Sequence, residues 1–467
     1  MRAVWRRSRG RRSDRLVSAV VRYSPTATGA WCAGGARRQR APGIARRPSI
    51  PPPAGSAHRQ GRSGRRRPRG SPGRRTAVPR SASFSPGIER VPLDVQNACP
   101  MLKRLSGKPG TLVVLEHHSQ ILKGNPLGDP HVRKLAVWLP PQYDDERARL
   151  RRFPVLFDLV GFTGSGMGHV AWKNFGYNVP ERAARLIREQ KMGPVIIVFP
   201  DCFTALGGNQ YVNSSAIGNY AGYITRELIP FVDRQFRTLA SREHRGCFGK
   251  SSGGYGAILH GMKYARYWGA IADHSGDAYF DFVYWHDWPN TLNELAKHRL
   301  PKRKAGRYDA RGASSERRLA AGMDDGRIKR FLQQVWKKEK VPAKEVMCIM
   351  NLCMAATYDP DPRAPNGFRV PFNLESGEPL PERWARWRQH DPINLVQRYR
   401  NNLKTLRGIY IDCGWRDQFH IHYGARILAK RLSEAGIRHV YEEFDDDHSD
   451  VDYRMDVSLP FLYRALK

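Results

Sequence analysis

The pentapeptide Gly249-Lys250-Ser251-Ser252-Gly253 lies between a short strand-like run, 244–248, and a small-residue run, 254–260, that opens a helix. A turn from strand to helix tight enough to expose a serine hydroxyl forces strained dihedrals on that serine, so glycine is favoured two residues before it and two after. Ser251 is therefore the candidate nucleophile. G-x-S-x-G by itself arises by chance in Gly-rich sequence, and the flanking strand and helix are what give it weight. Gly249-Lys250-Ser251 also resembles the end of a phosphate-binding loop, but that loop needs glycine where His244 stands.

Outward from this turn, strand-like and helix-like runs alternate from residue 111 onward, the pattern of an α/β protein with a mostly parallel central sheet flanked by helices. Eight strands are expected, at 111–117, 134–139, 154–160, 194–199, 245–248, 268–274, 405–412 and 439–444. Val195-Ile196-Ile197-Val198-Phe199 is apolar throughout, which suits a strand covered on both faces. Helices are expected at 182–190, 221–235, 253–264 and 423–435, the last ending at Gly436. Residues 277–388 break the alternation with a basic section (302–330), a helix (327–340) and Pro-rich turns (359–371). They read as an insertion that forms a lid or substrate wall. Its aromatic entry, Tyr279, Phe280, Phe282, Tyr284, Trp285 and Trp288, either lines an acyl or aryl pocket or packs the insertion onto the sheet.

A serine hydroxyl needs a base to take its proton, and the base needs a carboxylate to fix its tautomer. The strand at 406–411 opens into Asp412-Cys413-Gly414-Trp415-Arg416-Asp417, and the strand at 440–444 into Asp445-Asp446-Asp447-His448. Both loops follow the serine in the order acid, then histidine. His448 is the expected base. Asp417 is preferred to Asp412 as the acid because it lies past the sheet edge, within reach of the neighbouring loop. His420 and His422 are expected to face solvent or cap the next helix. The oxyanion needs two backbone donors, assigned to Ser252 and to Phe162 in the turn Gly161-Phe162-Thr163-Gly164. The acidic residues around His448 lack the spacing of a calcium loop, so no metal is expected there.

The stretches Val137-Trp138-Leu139-Pro140-Pro141-Gln142-Tyr143, 153–161, Glu227-Leu228-Ile229-Pro230-Phe231, 249–257 and 445–460 together resemble an esterase family of the α/β-hydrolase superfamily. That family includes esterase D, S-formylglutathione hydrolase, enterochelin esterase and feruloyl esterases. The resemblance covers about 110–465, and it implies an α/β-hydrolase fold, no metal or other cofactor, a small-molecule ester substrate, and Ser251, Asp417 and His448 as the triad. The chain departs from the family at Val160-Gly161, where many members have His-Gly or Ser-Gly, and at Lys250, where an apolar residue is usual. Its insertion is longer than that of the formylglutathione enzymes.

Of the 467 residues, the first 100 hold 23 Arg, no Lys and three acids, and so carry +20 of the net +36. This Arg/Pro/Gly-rich tail, 1–104, cannot bury enough apolar surface to offset chain entropy and is expected to stay disordered, with 105–467 forming the hydrolase domain. It reads as translated sequence upstream of Met101, as a transit peptide, or as a polyanion-binding segment; nucleic acid is disfavoured because no aromatics interleave the arginines. No apolar run reaches the roughly 18 residues of a membrane span. Seven scattered cysteines without a C-x-x-C pair indicate neither a zinc site nor a disulfide framework, so a reducing cytoplasm is expected. Acyl transfer by the same triad, or a non-catalytic hydrolase-fold binding module, are the alternative functions. Oligomeric state is not legible.

Overall fold

The computed structural model describes residues 108–300 and 323–467, with the backbone of Glu89–Pro92. The expectations for most of the basic section 302–330 and for the tail, 1–104, therefore lie outside the described residues, except at Glu89–Pro92, which forms a strand paired antiparallel with 111–114 where disorder was expected, because backbone hydrogen bonds to a sheet edge need no apolar side chains.

Among the described residues nine strands form one sheet. They are β1 (Glu89–Pro92), β2 (Thr111–His118), β3 (Val132–Leu139), β4 (Val155–Leu159), β5 (Ile196–Phe199), β8 (Arg245–Lys250), β9 (Ala270–His274), β10 (Gly408–Gly414) and β11 (Val440–Phe444); β6 (Asn213–Ser214) and β7 (Gly218–Asn219) make a separate two-residue hairpin. The order across the sheet is β1-β2-β3-β5-β4-β8-β9-β10-β11. β3 runs antiparallel to both β2 and β5, and every pairing from β5 to β11 is parallel. All eight expected strands are present, and β4, β5, β9 and β10 are buried along their whole length. Parallel pairing brings the carboxyl ends of β4, β8, β9, β10 and β11 to one edge, where loops can converge.

Helices cover both faces. Val179–Arg188 and Met455–Leu466 pack on one apolar cluster, while Ser252–Lys263, Ile421–Glu434 and the insertion pack on the other. Val179–Arg188 starts three residues before the expected helix because Asn178 and Glu181 close a reciprocal capping box and Pro180 sits in the first turn. The expected helix 221–235 contains a π-helical stretch, Tyr223–Leu228, just before Pro230, whose missing N–H interrupts the regular ladder. In the insertion, Arg327–Val335 ends five residues short of the expected boundary. Ala343–Tyr358 is the long buried helix there, apolar nearly all round, so it carries no amphipathic stripe to announce it. Among the described residues no helix is long and apolar enough to cross a membrane.

Candidate active site

Ser251 links β8 to the helix Ser252–Lys263 with φ 57° and ψ −124°, a conformation that costs a non-glycine residue about 1–3 kcal/mol. The crowding that requires it is local. A Cβ on Gly249 or on Gly253 would collide with the carbonyl oxygen of Leu159, so strand and helix approach β4 too closely for any side chain at either position. The turn is tied to β9 by the Ser251 N–H, which donates to the His274 carbonyl at 2.9 Å.

His448 follows β11, and its Nδ1 lies 2.7 Å from Oδ2 of Asp417, on the loop after β10. Asp417 is 2% exposed, and its other oxygen accepts the N–H of Phe419 at 2.9 Å. The His448 N–H donates to Oε1 of Gln418, and the Phe419 ring stands edge-on to the imidazole at 4.9 Å. With Nδ1–H engaged by the carboxylate, Nε2 is left as the basic nitrogen. Asp412, the rival acid, remains inside β10 and serves other partners, Nδ1 of His274 at 2.7 Å and Nε of Arg454 at 2.9 Å. His420 is exposed at the N-cap of Ile421–Glu434, whereas His422 is buried and stacked on Tyr423, because the helix turns that face toward the sheet.

The turn carrying Phe162 rides against the serine turn. A Cβ on Gly161 would stand 3.3 Å from the Lys250 carbonyl and 3.6 Å from Cβ of Ser251. The turn is pinned on both sides of Phe162: the Tyr211 hydroxyl donates to the Val160 carbonyl at 2.6 Å, and the Thr163 N–H donates to the Gly207 carbonyl at 2.9 Å. Its two ends are further joined by His169 Nδ1 to Asp158 Oδ2 at 2.6 Å. Burial alone would lower the His169 pKa; the Asp158 charge and hydrogen bond, with Asp452 beyond, outweigh it, and the net direction is up.

Sequence reasoning passed over Gln210 and Asp277. Gln210 Nε2 lies 2.9 Å from the Ser252 hydroxyl and 3.2 Å from Oδ2 of Asp277, which also accepts the Tyr284 hydroxyl at 2.8 Å. Burial pushes the Asp277 carboxyl up, and the carboxyl lies within electrostatic range of His448 and Asp417. Gln210 sits in a loop without periodicity and gave no signal; Asp277, three residues past β9, could have been flagged by its place at the carboxyl edge. Of the aromatic entry, Phe280 and Trp288 are buried in the insertion, Tyr279 stacks on Phe282 at 4.4 Å, and Trp285 is 42% exposed. Among the described residues no cluster of His, Cys, Asp and Glu is arranged to hold a metal.

Strand order, helix placement and the serine turn define an α/β-hydrolase. The model of the family described as "Putative esterase" matches residues 130–458, and the chain belongs to that family. Esterase Rv1288 of Mycobacterium tuberculosis (strain ATCC 25618 / H37Rv) and Esterase MT1326 of strain CDC 1551 are each 30% identical over 142 residues, 29% of this chain and 28% of the relative. The chain thus matches less than a third of the length of these curated relatives. Among solved structures, an S-formylglutathione hydrolase from Agrobacterium tumefaciens (17% identity, TM-score 0.43) is covered over 96% of its length by 77% of this chain. FphF, a fluorophosphonate-binding serine hydrolase of Staphylococcus aureus (14% identity, TM-score 0.44), is covered over 99% by 76%.

Proposed function

We propose that this chain is a serine esterase acting on a small-molecule carboxylic ester, within a hydrolase domain spanning 105–467 that carries 277–388 as its insertion. Ser251 attacks the ester carbonyl while Nε2 of His448 takes its proton, and Asp417 holds the imidazole in the tautomer that makes this possible. The N–H groups of Phe162 and Ser252 stabilise the oxyanion. Collapse of the tetrahedral intermediate expels the alcohol, which receives the proton from His448, and leaves an acyl group on Ser251. Water, deprotonated by the same imidazole, then frees the acid.

The observation that carries this reading is the 2.7 Å hydrogen bond between His448 and Asp417 at the sheet edge that also presents Ser251. Labelling with a fluorophosphonate probe tests it. The wild-type protein is expected to be labelled at Ser251 and to hydrolyse a short p-nitrophenyl ester, and Ser251→Ala is expected to fold and do neither. Hydrolysis retained by Ser251→Ala overturns the assignment.

A further inference from the structure

At Ser252, the residue after the nucleophile, lies a buried polar group that the reaction just described does not use. Gln210 is 1% exposed and Asp277 4%. The orientation of the Gln210 amide follows from its neighbours: Asp277 Oδ2 already takes the Tyr284 hydroxyl and, as a carboxylate oxygen, can only accept, so the amide must turn its NH2 toward it. That NH2 also reaches the Ser252 hydroxyl and the sulfur of Met354, from the insertion helix Ala343–Tyr358. Oε1 of Gln210 is consequently buried with no donor. Asp277 has no Lys or Arg in ion-pair distance among the described residues, and burial without a neutralising cation raises its pKa. One buried acceptor, Gln210 Oε1, thus stands without a donor, next to a carboxylate that no cation neutralises, at the residue that follows the nucleophile. A buried acceptor without a donor calls for a partner, and a hydrogen-bond donor on a bound substrate would supply one.

We infer that Gln210 and Asp277 form a subsite for a hydrogen-bond donor on the substrate, a hydroxyl or an ammonium group placed close to the scissile ester. The inference rests on the serine esterase reading and sharpens it by naming the substrate class. Tyr284 and Met354 place the insertion at this subsite as its wall.

Matched substrates test it by ratio. In one arm, kcat/KM is measured for p-nitrophenyl butyrate and for its 3-hydroxy and 3-amino counterparts; in the other, for ethyl butyrate and 2-hydroxyethyl butyrate. The arms separate a donor on the acyl group from one on the alcohol, and the hydroxy and amino members separate the two donors. The wild-type protein is expected to prefer a donor-bearing member by about tenfold or more in at least one arm, as a site built around buried acceptors does. Asp277→Asn, which replaces an acceptor oxygen by an amide donor, is expected to bring that ratio near unity. Should Asp277→Asn fail to fold, Gln210→Met is read in the same way. Equal rates within every pair for wild-type protein that is labelled at Ser251, or a preference that survives these substitutions, overturns the inference while leaving the serine reading intact. Absence of both labelling and hydrolysis removes the serine reading and the inference with it.

Discussion

Two histidine–aspartate pairs, one inside this sheet and one on the loops at its edge, share the same 2.7 Å separation and differ in what surrounds them. His448 and Asp417 sit on loops beyond the sheet edge that also presents a serine in a strained turn. His274 and Asp412 are register partners inside β9 and β10, and Nε2 of His274 meets the Ser458 hydroxyl at 2.8 Å, so serine, histidine and aspartate form a hydrogen-bonded chain there. Ser458 is fully buried within the helix Met455–Leu466, with no glycine turn to expose it. Asp412 is engaged by the Arg454 guanidinium and the Tyr410 hydroxyl. Triad distances alone therefore do not make a nucleophile. A strained turn that presents the serine is what the outer pair has and the inner one lacks.

The largest contrast is expected at the serines. Ser251→Ala should lower kcat/KM by about 10⁴-fold or more without unfolding, whereas Ser458→Ala should keep activity within about threefold and lose about 1 kcal/mol of stability, read by urea denaturation. The acids come next. Asp417→Asn should reduce kcat by about 10³- to 10⁴-fold through the wrong imidazole tautomer, while Asp412→Asn should cost about 3 kcal/mol of stability by leaving Arg454 short of its partner.

A third histidine sharpens the comparison because it has no acid at all. His260 accepts from Trp268 Nε1 at 3.0 Å and lies 2.9 Å from the Tyr211 carbonyl, and burial lowers its pKa to about 4. The unfolded chain takes up this proton near the ordinary pKa of 6.5. Between pH 6.5 and 4 the unfolded state binds more protons, so stability falls on acidification, by on the order of 3 kcal/mol from this residue. Denaturation midpoints measured across that range should fall less steeply in His260→Gln. A smaller effect than at the catalytic serine and acid is expected at Tyr211→Phe, which frees the Val160 carbonyl: a drop of about tenfold in kcat with KM nearly unchanged, measured on one ester.

The hydrogen-bonded pair Asp417–His448 and the strained turn at Ser251 were legible because each carries a local signature. A glycine-flanked serine after a strand, and an acid and a histidine after the last two strands, are fixed by the connectivity of a parallel sheet. The preference for Asp417 over Asp412 rested on distance past the sheet edge, and the structure gives Asp412 different partners. His274 and Ser458 were not legible, since they meet 184 positions apart with no motif at either one. The insertion was read only as a block. Ala343–Tyr358 is buried on most faces and shows no helical stripe, and the contact of Met354 with Gln210 depends wholly on tertiary packing.

The central claim, that the outer pair and not the inner one activates a serine, is tested most directly by trapping the acyl group. Peptide mass spectrometry after acid quench of the protein turning over a slowly deacylating aryl ester should place the acyl mass on the peptide holding Ser251 and leave Ser458 unmodified. An acyl group on Ser458, or turnover with both serines unmodified, would contradict the account.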